Sequence, residues 1–240
     1  MKVRVDLHVH SSASFDCSVD PYSIVRRSWE LGLGPLCLTD HNTISAASAV
    51  QRSSPTGTVI VGEEILTTDG DIIGLFLHRR IAPGLTVQET VSEIKAQGGI
   101  VYLPHPLDPS RASLSASAID SIVEELDVIE VFNCRSPADS NQAAEELCRN
   151  LGAVPASGSD AHSLKEIGGT FVEMDRFVGA ADFLTKLDRA AIVTRPHRHR
   201  LRILATVQRL SRTSLPAGSP FVEAEQPGTS WHNSPKRHGL

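Results

Sequence analysis

Val3-Arg4-Val5-Asp6-Leu7-His8-Val9-His10 opens the chain with apolar and polar residues in alternation, the period of a β-strand, and closes on two histidines two positions apart. Side chains at i and i+2 of a strand project from one face, so His8 and His10 are presented side by side where the strand ends. Alone, such a pair suits a solvated sheet face as well as a metal. Working outward, further β-rich runs occur at Pro35–Thr39, Val59–Ile65, Ile72–Leu77, Ile100–Leu103, Val128–Phe132 and Val154–Ser157, with Val3–Val9 as the first. Helical stretches separate them, which predicts an α/β fold with a mostly parallel sheet or barrel.

The helices announce their starts. Asp20-Pro21 offers an N-cap followed by proline in the first turn, and Thr86-Val87-Gln88-Glu89 has capping-box spacing, with Gly98-Gly99 as its stop. The segment from Pro137 to Leu151 reads as another helix, ended by Gly152. At 240 residues and 40% hydrophobic content, one domain with a buried core is expected over residues 1–194. From Arg195 the composition turns basic, in Arg195-Pro-His-Arg-His-Arg200, and then rich in Pro, Ser and Gly. We read 195–240 as a basic C-terminal segment whose last twenty-odd residues are poorly ordered. A solvated terminal helix is the commoner explanation of the charges from Arg195 to Arg212, and contact with nucleic acid is the sharper one.

A net charge of -5 gives no global field for duplex nucleic acid or an anionic membrane. No segment reaches the roughly 18 apolar residues of a membrane span, and the N-terminus lacks a signal-peptide stretch. Four cysteines, Cys17, Cys37, Cys134 and Cys148, form no CxxC pair and no disulfide framework, so a reducing cytoplasm is expected.

Polar clusters mark the strand ends. Thr39-Asp40-His41, Gly62-Glu63-Glu64, Leu103-Pro104-His105-Pro106 and Ser157-Gly158-Ser159-Asp160-Ala161-His162 each follow or end an apolar run. In a parallel α/β structure these ends converge on one face, where barrel enzymes gather their catalytic groups. Taken singly, each residue has a plain structural reading: Asp40 as cap of a helix starting near Asn42, Asp160 as cap of a short helix after His162, any one histidine as core or surface. As a set they are better explained as ligands. Nitrogen and oxygen donors without thiolate favour Zn, Mn or Fe, and their number exceeds the four needed by one tetrahedral ion, so two or three divalent metal ions are expected.

These motifs resemble the polymerase and histidinol phosphatase (PHP) family, in particular its small stand-alone phosphoesterases. DLHVHSSASFD, LTDHNT, GEEI, PHP and GSDAH occur in the family's order over roughly Val3 to Val172. The resemblance implies a distorted (β/α)7 TIM-like barrel, with the active site at the C-terminal ends of the strands and a trinuclear metal site. It makes His8, His10, Glu64 and Asp160 ligands of one ion, with Glu64 bridging to a second that also takes His105. Asp16, His41 and His162 would hold the third. Several relatives place a further histidine where this chain has Asp71, ahead of Ile72-Ile73-Gly74-Leu75-Phe76-Leu77. Cys134 lies near a ligand position of some polymerase-associated relatives, but a buried or edge cysteine is the plainer reading.

The implied chemistry is hydrolysis of a phosphate ester by metal-activated water, with His41, Asp160 and His162 among the catalytic residues. Arg111 and Arg135 are placed to clamp phosphate, and ordinary surface arginine is the alternative for each. The expected partner is a small phosphorylated substrate, a nucleotide such as a nucleoside 3′,5′-bisphosphate. Three other readings stand beside it: 3′–5′ exonuclease action on single-stranded nucleic acid ends, histidinol-phosphate phosphatase, and a non-catalytic metal-binding module.

Overall fold

Strands and helices alternate along the computed structural model, which describes residues 1–55 and 57–195 and the backbone of 203–205. The strands are β1 (Lys2–Val5), β2 (Leu36–Leu38), β3 (Val59–Leu66), β4 (Asp71–Leu75), β5 (Ile100–Leu103), β6 (Val128–Asn133), β7 (Val154–Gly158), β8 (Thr170–Asp175), β9 (Ala191–Thr194) and β10 (Ile203–Ala205). The helices are α1 (Pro21–Glu30), α2 (Ser45–Ser53), α3 (Val87–Ala96), α4 (Ala116–Asp120), α5 (Ala138–Leu151) and α6 (Gly179–Leu187). Asp20 caps α1 through Ser23, Thr86 and Glu89 close the capping box of α3, and Gly152 ends α5 in the left-handed conformation, as the sequence predicts. The helix considered near Asn42 begins at Ser45 without a side-chain cap, and α4 and α6 are not foreshadowed.

β2 to β7 form a six-stranded sheet in sequence order. The chain between β1 and α1 closes it. Cys37 and Thr39 donate to the carbonyls of Asp6 and Val9 at 2.9 Å on one side, while His10 donates to Ala161 and Asp160 to His8 at 3.0 and 2.8 Å on the other. Residues 6–9 thus stand between the two edges as the seventh stave of a distorted TIM-like barrel. The predicted strand Val3–Val9 is therefore divided: Lys2–Val5 leaves the barrel to pair antiparallel with β8 in a four-stranded sheet ordered β1-β8-β9-β10. Strand at Ile203–Ala205 replaces the terminal helix expected there, its backbone paired with β9. The last twenty-odd residues lie outside the described residues.

β4 departs from the parallel expectation, running antiparallel to both β3 and β5. Only Thr67-Thr68-Asp69-Gly70 joins it to β3, tied by Thr67 N–H and Oγ1 to the Gly70 carbonyl at 3.0 and 2.6 Å. So short a link permits a hairpin and not a crossover. The reversal has a consequence for the site. Asp71 begins its strand, yet sits at the barrel end where β3 finishes, opposite Leu66.

The interior is aliphatic. Leu36, Leu38, Ile65, Ile72, Ile73, Leu75, Ile94 and Tyr102 are fully buried, and barrel strands covered on both faces read as continuous apolar runs. All four cysteines are free. Among the described residues no helix is long and apolar enough to cross a membrane.

Candidate metal centre

The closing segment 6–9 carries the first donors into the mouth of the barrel. The Nε2 atoms of His8 and His10 lie 3.0 Å apart. Both face Glu64 Oε2, at 3.3 and 3.2 Å, and Asp160 Oδ1, at 3.7 and 3.4 Å. Glu64 reaches them from β3. Its other oxygen meets His105 Nε2 at 2.9 Å, and its Oε2 lies 3.5 Å from His41 Nδ1. Asp16 Oδ2 stands 3.0 Å from His162 Nε2 and 3.5 Å from His41 Nε2. The side chains expected as ligands are thus gathered in one place, in overlapping groups: His8, Glu64 and His105; His8, His10 and Asp160; His10, Asp16 and His162; His10, His41 and Glu64. Asp71 enters none of them, and no cysteine does. Glu63, on the opposite face of β3 from Glu64, instead accepts from the backbone of Ile81 at 2.9 Å.

The protons of the two central imidazoles are assigned by their neighbours. His8 Nδ1 lies 3.1 Å from Glu130 Oε1, which as a carboxylate only accepts, so Nδ1 carries the hydrogen and Nε2 the lone pair. Ser14 does the same for His10. Its hydroxyl donates to Asp40 and accepts from the His41 amide, and so accepts from His10 Nδ1 at 3.1 Å. With these tautomers, two imidazole lone pairs and two carboxylate oxygens would converge on a cation held between them, and without one, protons on the imidazoles take its place. His105 Nδ1 is buried without a hydrogen-bond partner. This nitrogen and oxygen donor set fits divalent Zn, Mn or Fe.

Electrostatics point the same way. Burial alone would lower His8 and His10, but the carboxylates around them outweigh it, raising His8 well above its ordinary value and His10 to about 9. Burial works against Glu64 and Asp160 also, and the facing histidines hold both carboxyls below their ordinary range. The cluster demands positive charge. Asp71 behaves differently: burial first, and then the nearby Glu64 charge, push it up to about 7.

Several residues support the cluster without being candidate ligands. Glu130, inside β6, accepts four hydrogen bonds: from His8 Nδ1, from Tyr102 Oη at 2.7 Å, from the His105 amide at 2.7 Å and from Asn133 Nδ2 at 2.9 Å. Its one sequence signal is a charge in the middle of the apolar run Val128–Phe132. Asp40 caps no helix. It takes Ser11 N and Oγ at 2.6 and 2.7 Å and Ser14 Oγ at 3.1 Å, pinning the loop after His10. Asp6 accepts from Ser159 and Gly168, each at 3.0 Å, and so fixes the turn that presents Asp160. Asp160 (φ 52°) and His105 (φ 30°) both hold left-handed backbone, a strain that other residues seldom accept outside functional sites.

Both arginines border the cluster. Arg111 Nη2 lies 2.5 Å from Asp160 Oδ2, the oxygen turned away from the histidines. Arg135 Nη1 contacts His162 Nδ1 and lies 3.5 Å from the Asp160 carbonyl. Cys134 is part-buried at the edge of β6.

Known proteins carry the same arrangement of chain. Residues 138–192 match the model of a PHP-associated family. An uncharacterized protein of Methanocaldococcus jannaschii is 37% identical over 163 residues, which are 62% of this chain and 94% of that protein. Among solved structures, the chain resembles a two-domain protein of Bacteroides vulgatus containing a predicted PHP-like metal-dependent phosphoesterase, with TM-score 0.64 and 19% identity over 81% of this chain; it spans 65% of that protein. It also resembles the lesion-specific endonuclease EndoQ of Pyrococcus furiosus, with TM-score 0.60 and 16% identity over 77% of this chain and 55% of the endonuclease. With the motifs in order, the PHP-associated match at residues 138–192 and a fold shared with PHP-like structures, the chain is a PHP domain protein.

Proposed function

We propose that the chain hydrolyses phosphate esters with two or three divalent ions, and that its substrate is a small nucleotide such as a nucleoside 3′,5′-bisphosphate. The observation that carries this reading is the convergence of His8, His10, Asp16, His41, Glu64, His105, Asp160 and His162 at one barrel mouth, with Arg111 and Arg135 at its edge. Zn, Mn or Fe, if held there, would supply Lewis-acid polarisation of the phosphoryl oxygens and a more acidic water. His8, His10 and Asp160 would hold one ion and share Glu64 with a second at His105. Asp16, His41 and His162 would hold the third.

The chain's own groups do the rest. Arg111 and Arg135 offer planar guanidinium donors to non-bridging phosphate oxygens, and Arg111 also keeps Asp160 Oδ1 turned towards the histidines by engaging Oδ2. His41 and His162 are the most exposed imidazoles of the cluster, at 13% and 12%; His162 Nδ1 is engaged by Arg135 and the Asp160 carbonyl, so His41 is the one with a nitrogen to spare for the leaving oxygen's proton. Asp71 joins none of the donor groups, so we place it beside the second ion rather than on it.

The test is metal content by elemental analysis, paired with phosphate release from nucleoside monophosphates, 3′,5′-bisphosphates, histidinol phosphate and short oligonucleotides with added Mn or Zn. Two or three ions per chain and release from the bisphosphates are expected. No bound metal and no release from any ester would overturn the reading. Nucleic acid ends are the second reading, favoured by the basic run that begins at Arg195. An oligonucleotide affinity that falls steeply with salt would select it.

A further inference from the structure

Four exposed apolar side chains that the core does not use stand next to proposed ligands in the sequence. Phe15, Leu66, Leu107 and Leu164 are exposed, and each stands one or two residues from a proposed ligand: Asp16, Glu64, His105 and His162 respectively. Successive Cα atoms are about 3.8 Å apart, so each lies close to its ligand whatever the local fold. Scattered exposed leucines are ordinary on a protein surface, but Phe15 also touches a proposed ligand, His41.

Phe15 is the most exposed of the four, at 86%. Its ring centroid lies 5.0 Å from that of His41, inclined by 32°, so one face leans on a proposed ligand and the other is open to solvent. The loop beneath it is rigid. Ser11 and Ser14, on one side, are bound to Asp40, and Asp16, on the other, is bound to His162. An exposed aromatic ring on a pinned loop is already ordered for contact, so stacking a second ring on it costs little further entropy.

We propose that Phe15 is the platform on which the substrate's planar base stacks while its phosphate engages the metal centre and arginines. Phe15 is then a specificity-determining residue, selecting nucleotides over phosphate esters of aliphatic alcohols, with the leucines as an apolar collar. The inference rests on the phosphoesterase reading for the location of the phosphate. A flat apolar face next to a charged floor matches a molecule with one aromatic and one anionic end.

The experiment compares wild type, Phe15→Ala, Phe15→Leu and Phe15→Trp in the metal-loaded full chain, with adenosine 3′,5′-bisphosphate and glycerol 2-phosphate as substrates. Phe15→Ala and Phe15→Leu should raise KM for the nucleotide about tenfold and leave glycerol phosphate turnover unchanged, and Phe15→Trp should restore the nucleotide KM. Loss towards both substrates together, or towards neither, overturns the proposal. A second readout needs no turnover: in the metal-loaded protein, saturation transfer from methyl protons to the adenine protons of adenosine, which carries no ester, should be present in wild type and absent in Phe15→Ala. Transfer that survives in Phe15→Ala overturns the platform. If no ester is hydrolysed by wild type but transfer depends on Phe15, the phosphoesterase reading falls and the nucleotide seat stands.

Discussion

His8 Nδ1 and Glu130 Oε1 stand 3.1 Å apart across 122 positions of sequence, both fully buried. This contact fixes which nitrogen of His8 is free to ligate. Glu130→Gln keeps the shape but replaces two acceptor lone pairs by an amide N–H2, which must face a donor whichever way it turns, because all four partners of Glu130 donate. Metal affinity should fall about 10- to 100-fold. Competitive titration against a chelator checks this, and an unchanged affinity would remove Glu130 from the site.

Gly158 ends β7 against His8 and Glu130, and a Cβ there would overlap His8 Cβ and Glu130 Oε1. Gly158→Ala should therefore destabilise the fold by about 1–3 kcal/mol and displace His8, lowering bound metal as well. Urea unfolding with elemental analysis reads both effects. A variant with wild-type stability and metal content would show that the strand yields freely.

His8→Ala and Asp160→Ala should each abolish phosphate release and reduce bound metal while unfolding stays cooperative, since each removes a donor shared by the cluster. Full activity in both variants would refute the ligand assignment.

Arg111 binds Asp160 through Nη2 at 2.5 Å with its side chain 22% exposed. Arg111→Ala should lower kcat/KM about tenfold or more through loss of a charged hydrogen-bond donor. Arg111→Lys should recover only part of this, because an ammonium lacks the planar fork. Full recovery by lysine would reduce the role of Arg111 to its charge.

Asp108 holds together the loop that bears His105 and Arg111. It accepts from Ser110 N and Oγ at 2.9 and 2.7 Å and from Ser136 Oγ at 2.7 Å. Burial opposes ionisation, but these bonds prevail and hold the carboxyl below its ordinary value. With the folded pKa below the unfolded one, this stabilisation is present above about pH 4 and lost as pH falls below it. Urea midpoints at about pH 5 and about pH 3 should therefore differ more in wild type than in Asp108→Asn. Equal differences would show that Asp108 contributes nothing to acid sensitivity.

The sequence by itself determined the seven barrel runs, the capped helices α1, α3 and α5, and most of the side chains gathered at the barrel mouth, because strand alternation, caps and strand-end motifs are local patterns. The HxH pair, the Asp-x-His pair and His105 could be found without coordinates for that reason. Only the tertiary structure decided that β4 runs backwards, bringing Asp71 to the mouth of the barrel but leaving it outside the donor groups. It alone decided that Asp40 holds a loop instead of capping a helix, and that Glu130 sets the tautomer of His8. Such roles depend on what a buried polar atom meets across the core, and a hydrogen bond spanning 122 residues leaves no periodic trace in the chain.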